Sequence, residues 1–200
     1  MRLGLLLAGS TLLLAGAPAA AQQAAGAPAT RIAPSGRATT QITVTVPGAA
    51  GAQPTSLPVR IDYGQPHARG RAVAGTLVPY DQVWRTGANE STSLVTPVDL
   101  EIGGLRVPKG TYTLYSLLTR SGWKLIVNRQ TGQWGTQYDQ AQDVGRVDMT
   151  VRQQAEAQES FSMTLVPGGD VPLGGTLVLS WGTLHGSVPW RVVGPVSAAR

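Results

Sequence analysis

The feature that most limits what this chain can fold into is the brevity of its apolar runs. From residue 41 onward they are β-branched or alternating, and Gly, Pro or polar turn residues cut each one off. They cover residues 41–46, 58–63, 92–96, 98–102, 111–119, 123–128, 146–151, 160–166, 176–181 and 187–192, none longer than ten residues. Short period-two runs between turn signals are what an antiparallel sandwich or barrel requires. Gly103-Gly104 suits a primed two-residue hairpin turn, Pro108-Lys109-Gly110 a turn with φ fixed by proline, and Ser121-Gly122 another tight reversal. Residues 111–117 carry large side chains on both faces, which predicts a central strand buried on both sides. Only residues 151–159, VRQQAEAQE, have a helix-forming composition. They lack apolar residues at helical spacing and read as a polar connection or a single turn. The expected fold is therefore a single all-β domain over residues 41–195, an antiparallel β-sandwich of jelly-roll-like type.

Upstream, MRLGLLLAGSTLLLAGAPAAAQQ has one charge at Arg2, an apolar run to Ala15, and small residues at Ala19 and Ala21. This is the layout of a secretory signal peptide with cleavage after Ala21, and the run is shorter than the roughly 20 residues that span a bilayer. The expected location is periplasmic or secreted, with no transmembrane anchor after cleavage. Residues 22–40 are Ala, Gln, Gly and Pro-rich and read as a flexible leader, because so few large apolar side chains cannot offset ordering entropy.

The chain has no cysteine, which excludes disulfides, thiolate metal sites, a Cys nucleophile and blue copper. Sixteen basic residues against eleven acidic ones give +5, and removing Arg2 leaves 15 − 11, or +4. The arginines are scattered, apart from Arg60, Arg69 and Arg71, and form no stripe or module that would read nucleic acid. His67 and His185 are far apart and in no H-x-H or H-E-x-x-H pattern, so no metal or other cofactor is expected. A serine hydrolase would need a G-x-S-x-G elbow, which is missing.

Residues 77–91, LVPYDQVWRTGANES, are the most sharply written segment. Its bulky polar and aromatic side chains suit a binding loop, with Trp84 as flat contact area and Arg85, Asn89 and Glu90 as directional hydrogen-bonding groups. A structural reading stays open beside it: Trp84 plugs one end of the sandwich, Arg85 pairs with Glu90, and Gly87 and Asn89 take left-handed backbone. A second aromatic and polar loop around Trp134 and Tyr138 joins the same candidate site. A polar small molecule or envelope glycan is the partner such a surface suits. Two further function classes remain: an envelope hydrolase using Glu90 with a second carboxylate from among Asp62, Asp81, Asp139 and Asp143, and a non-catalytic structural module. Trp123 and Trp181 alternate with apolar strand residues and are expected in the core, and Trp190 in the core or covering an edge. Oligomeric state is left open.

Gly70-Arg71, Gly75, LVPY (77–80), VWRTGANE (83–90), VPKGTYTLY (107–115), Trp123 with Asn128, QWG (133–135) and Trp181-Gly182 together carry a resemblance. Over residues 31–192 the chain resembles a secreted bacterial family catalogued as domain of unknown function 2911. The resemblance implies no reaction, since the family's biochemical role is unassigned. The chain departs from the family pattern at Gln65, where Tyr-x-Arg-Pro has its Arg, which puts any anion contact made there in doubt. It also has an extra Gly, Ala, Pro and Gln stretch at residues 47–57, expected as a longer loop.

Overall fold

The structure, a computed structural model, describes residues 34–46, 52–169 and 173–194. The proposed signal peptide and most of the leader lie outside them. Ten strands form among the described residues: β1 (Gly36–Val46), β2 (Thr55–Gln65), β3 (Val83–Trp84), β4 (Thr92–Thr96), β5 (Leu100–Ile102), β6 (Leu105–Val107), β7 (Gly110–Leu118), β8 (Trp123–Asn128), β9 (Asp143–Pro167) and β10 (Gly174–Val192). The only helical element among the described residues is a 3₁₀ turn, Gln140–Gln142. The domain is all-β and every strand pairing is antiparallel, in the order β1-β2-β4-β7-β8-β9-β10-β5-β6, with β3 on β7. No helix of the described residues is long and apolar enough to cross a membrane.

Alternation along the strands makes two faces. Val44, Val59, Ile61, Leu94, Leu114 and Leu125 point inward, onto Phe161, Met163, Leu177 and Leu179 of the opposite layer. The layers are continuous because β9 belongs to both: its residues 143–149 pair with β8, and its residues from 150 to 167 pair with β10 across two register shifts. β7 lies centrally, and residues 112–116 are buried on both faces as their side chains demanded. Gly103 and Gly104 close the β5–β6 hairpin with φ of 56° and 85°, the left-handed pair that a type I′ turn requires.

Four expectations change. Residues 151–159 are strand, so the runs at 146–151 and 160–166 belong to one 25-residue β9. Their pairing partner is β10, and their mostly exposed side chains leave no apolar period for the eye to catch. Residues 176–181 and 187–192 are likewise one strand of 19 residues, which places His185 within β10 and not in a hairpin connection. β3 and β6 are too short to produce a period and were missed. β1 starts at Gly36, inside the stretch assigned to the leader, and β2 starts at Thr55, inside the presumed loop.

Past β10, the outer edge of β9 meets β1, β2 and the turn after β2 without a regular ladder. The Phe161 and Ala68 amides donate to the Pro66 and Glu159 carbonyls at 2.9 and 2.8 Å. Three side chains complete this seam: Gln65 Nε2 donates to the Phe161 carbonyl (3.0 Å), the Tyr63 hydroxyl to the Met163 carbonyl (3.5 Å), and Thr40 Oγ1 accepts from the Leu165 amide (3.0 Å). Gln65 thus helps to join the layers.

Candidate functional site

The turn that leads from β3 to β4 is folded tightly against the end of β2. A Cβ on Gly64 would lie 1.9 Å from the Ala88 carbonyl oxygen, and one on Gly87 would lie 2.8 Å from Thr92 Oγ1. Thr86 and Asn89 take left-handed backbone, with φ of 50° and 63°. Gly87 was expected in that role; the strain falls instead on Thr86, which is fully buried and whose carbonyl accepts from Thr92 Oγ1 at 2.8 Å.

This turn carries Trp84 into the core. Its indole, 8% exposed, stacks on Trp181 and meets Phe161 edge-on at 5.1 Å. Trp123 and Trp190 are buried as well. Trp84 therefore shows no ring face to solvent. Arg85 does not pair with Glu90; its stem packs against Gly135. Asn89 Nδ2 donates to the Ser35 carbonyl at 3.3 Å, fastening the turn to the segment before β1.

Glu90 and Trp134 do come together. They face each other in an isolated antiparallel bridge, flanked by Gly135 N–H to Asn89 O (3.0 Å) and Ser91 N–H to Gln133 O (3.2 Å). Trp134 is 48% exposed and Glu90's side chain 62%. Arg37 Nη1 reaches Glu90 Oε2 at 3.5 Å, and the same guanidinium donates to Asp62 Oδ1. Thr39 Oγ1 donates to Asp62 Oδ2 at 2.9 Å, and Arg60 stands 3.7 Å from that oxygen. Burial pushes the Asp62 carboxyl upward, but the hydrogen bonds from Arg37 and Thr39 and the two positive charges outweigh it and hold it below its ordinary value.

Asp62 belongs to a longer pattern. Register places Thr39, Asp62, Ser93, Thr113, Asn128 and Asp143 opposite one another in succession, a row of polar residues across β1, β2, β4, β7, β8 and β9. Directly opposed residues share a face, so the row runs along the outside of the sheet. The loop after β8 covers its centre. Thr113 Oγ1 donates to the Gln130 carbonyl (2.6 Å), and Gln133 Nε2 donates to Thr113 and to the Tyr115 hydroxyl. At the far end, Tyr138 donates to Asp143 Oδ2 and accepts from Arg146 Nη2, each at 2.7 Å, with its ring edge-on to Tyr115 at 4.8 Å. Burial, and then the hydrogen bond to Asp143, push its hydroxyl up to about 12. Tyr138 is thereby committed to anchoring the loop. Thr39, Asp62 and Ser93 remain uncovered, next to Arg37, Glu90 and Trp134.

The other candidates are dispersed. Asp139 caps the 3₁₀ turn through the Ala141 amide at 2.9 Å, and Asp81 is exposed beside β7. His67 and His185 contact Ser160 and Ser180 at 2.7 and 3.0 Å, in separate places. Arg60, Arg69 and Arg71 do not form one patch: Arg60 sits by Asp62, while Arg69 and Arg71 lie on the turn after β2. Sequence reasoning missed Arg37, Thr39 and Ser93. The signal was the period-two recurrence of Arg37, Thr39, Gln41 and Thr43, which alternate with Ala38, Thr40, Ile42 and Val44 and mark one solvent-facing row.

The family model of proteins of unknown function DUF2911 matches residues 48–190, more than half of the chain. The chain belongs to this family. No curated protein and no solved structure matches it. In this DUF2911 protein the family-matched span holds β2 to β9 and most of β10, and it includes Asp62, Glu90 and Trp134.

Proposed function

We propose that this protein is an exported binding module that holds a polar, glycan-like ligand on the outer face of β1, β2 and β4. The observation that carries the reading is Trp134, half exposed on a loop that backbone hydrogen bonds fix beside Glu90. An indole face accepts the C–H face of a sugar ring, while flanking polar groups select its hydroxyls. Here Glu90 and the Asp62 carboxylate are acceptors, Arg37 and Arg60 donors, and Ser93 either. The charged groups already touch one another, so they are oriented before a ligand arrives and little side-chain freedom is lost on binding. Signal-like residues 1–21 support export.

Isothermal calorimetry against a panel of envelope glycans tests the proposal, with wild type and Trp134→Ala compared at matched circular dichroism. Binding by wild type and its loss in the variant is the expected result. Absence of binding across the panel, or equal binding by a folded variant, overturns it. Export is tested separately by cell fractionation and by the mass of the secreted form, which should begin at Gln22.

A further inference from the structure

A second concavity lies on the other side of the molecule's sequence logic, where β9 separates from β10. Pairing passes from Gln153 opposite Leu184 to Gln158 opposite Gly182, so four residues of β9 face only Thr183. A bulge of this size leaves the backbone of residues 154–157 without ladder partners on β10, and bulges recur where a strand is re-aimed around a ligand. The Gly182 backbone has φ of 56°, and Gln154 Nε2 donates to its carbonyl at 2.9 Å, which keeps the bulge open. The turn after β2 closes the other side. Together they form an open cleft of about 390 Å³, floored by Val73 and Leu184, walled by Ala72 and Ala157, and carrying Arg71 and Glu159. That volume lies in the range of small-molecule sites, roughly 300–1,000 Å³.

The two charges are each half used. Arg71 donates from Nε to the Ala68 carbonyl (2.9 Å) and from Nη2 to the His67 carbonyl (3.0 Å), leaving Nη1. Glu159 Oε1 accepts the Arg69 amide (2.7 Å), leaving Oε2. These bonds fix both heads, yet the charges are not bonded to each other among the described residues. A cleft with one fixed cation, one fixed anion, strand backbone without a β10 partner at Ala157 and small apolar walls matches a molecule with a carboxylate, an ammonium, peptide units and small side chains. We propose that this cleft binds a short free peptide, two or three residues long with small apolar side chains. Its carboxylate meets Arg71 and its ammonium meets Glu159. Its peptide groups lie along the β9 backbone at Ala157 and Gln158, where that strand borders the cleft, and its side chains rest on Val73 and Leu184. A large macromolecule does not fit the volume, and a purely apolar guest would leave the charges unanswered.

Calorimetric titration of the whole protein with trialanine, and with the same peptide acetylated and amidated, reads the charge requirement directly. Saturable binding of trialanine, weakened about tenfold or more by blocking the ends, is expected. Arg71→Gln should weaken trialanine by a similar factor. Ala157→Trp, at an exposed position that fills the cleft without removing a bond, should abolish binding. Trp134→Ala should leave it unchanged, since that residue serves a different surface. No saturable binding, equal affinity for the blocked peptide, or wild-type affinity in Ala157→Trp would each overturn the proposal.

Discussion

The ring of Trp84 lies nearly parallel to that of Trp181, with centroids 5.7 Å apart and planes 18° from one another. One residue comes from the most recognisable loop of the sequence and the other from the middle of β10. Their contact fastens the first layer to the second, with Phe161 edge-on to both. The tryptophan most conspicuous in the sequence is a structural clamp, and the one that meets solvent is Trp134.

Replacing these two residues should therefore have opposite consequences. Trp84→Ala removes a buried indole from a packed cluster and should cost about 3–5 kcal/mol. Trp134→Ala should stay within about 0.5 kcal/mol of wild type. Urea denaturation followed by circular dichroism distinguishes them; comparable losses in both variants would show that the exposed ring also holds the fold.

Gly64 tests the packing of the strained turn. A methyl group there meets backbone, the Ala88 carbonyl, which cannot rotate aside as a side chain would. Gly64→Ala should destabilise by about 1–3 kcal/mol. Gly122→Ala, whose added Cβ meets nothing within 4 Å, should be close to neutral. Thermal melting of the pair is sufficient to read the difference.

The Asp62 carboxyl has a folded-state value below its ordinary 3.8. The stability this contributes is complete above the ordinary value and is lost as pH falls through the folded one. Asp62→Asn should therefore flatten the decline of stability below about pH 4 relative to wild type. Urea midpoints measured from neutral pH down to the acid limit of folding give the two slopes. Asp99 and Glu101 are lowered as well, Asp99 by the Lys109 amide and Arg106, Glu101 by Arg191, so the variant removes only part of the decline.

Tyr138 gives the alkaline counterpart. Its hydroxyl is pushed up to about 12, so its contribution is complete below the ordinary value near 10 and is lost as pH rises from there towards 12. Burial also raises Tyr112 and Tyr115, so in wild type phenolate absorbance should show several tyrosines titrating late, and Tyr138→Phe should remove the component nearest 12. The same variant should loosen the loop after β8, raising the exchange of the Gln133 and Gly135 region with solvent.

The sequence was informative where chemistry is local. Residues 92–96 and 123–128 form strands with the ends that turns and alternation placed on them, and Gly103-Gly104 behaves as its backbone freedom requires. Legibility failed where a strand is exposed on its long axis: residues 151–159 have no apolar period because almost nothing packs on them, although their backbone is strand. The candidate surface was half visible. Glu90 and Trp134 were named, but Arg37 lies 53 residues from Glu90 and 25 from Asp62. The polar row exists only through the register of six strands, which no single segment encodes.

The seam along β9 has a consequence for how the molecule opens. Elsewhere strands are held by ladders of regular backbone bonds, whereas here the Phe161 carbonyl, Met163 carbonyl and Leu165 amide depend on the side chains of Gln65, Tyr63 and Thr40. Side chains rotate independently, so this edge can release one bond at a time without unfolding a neighbour. A parted seam would bare a length of β9 as an unoccupied edge, and a bare edge accepts any strand of suitable length. The bonds that finish the domain along this seam thus also guard it against exchanging strands with another copy of itself.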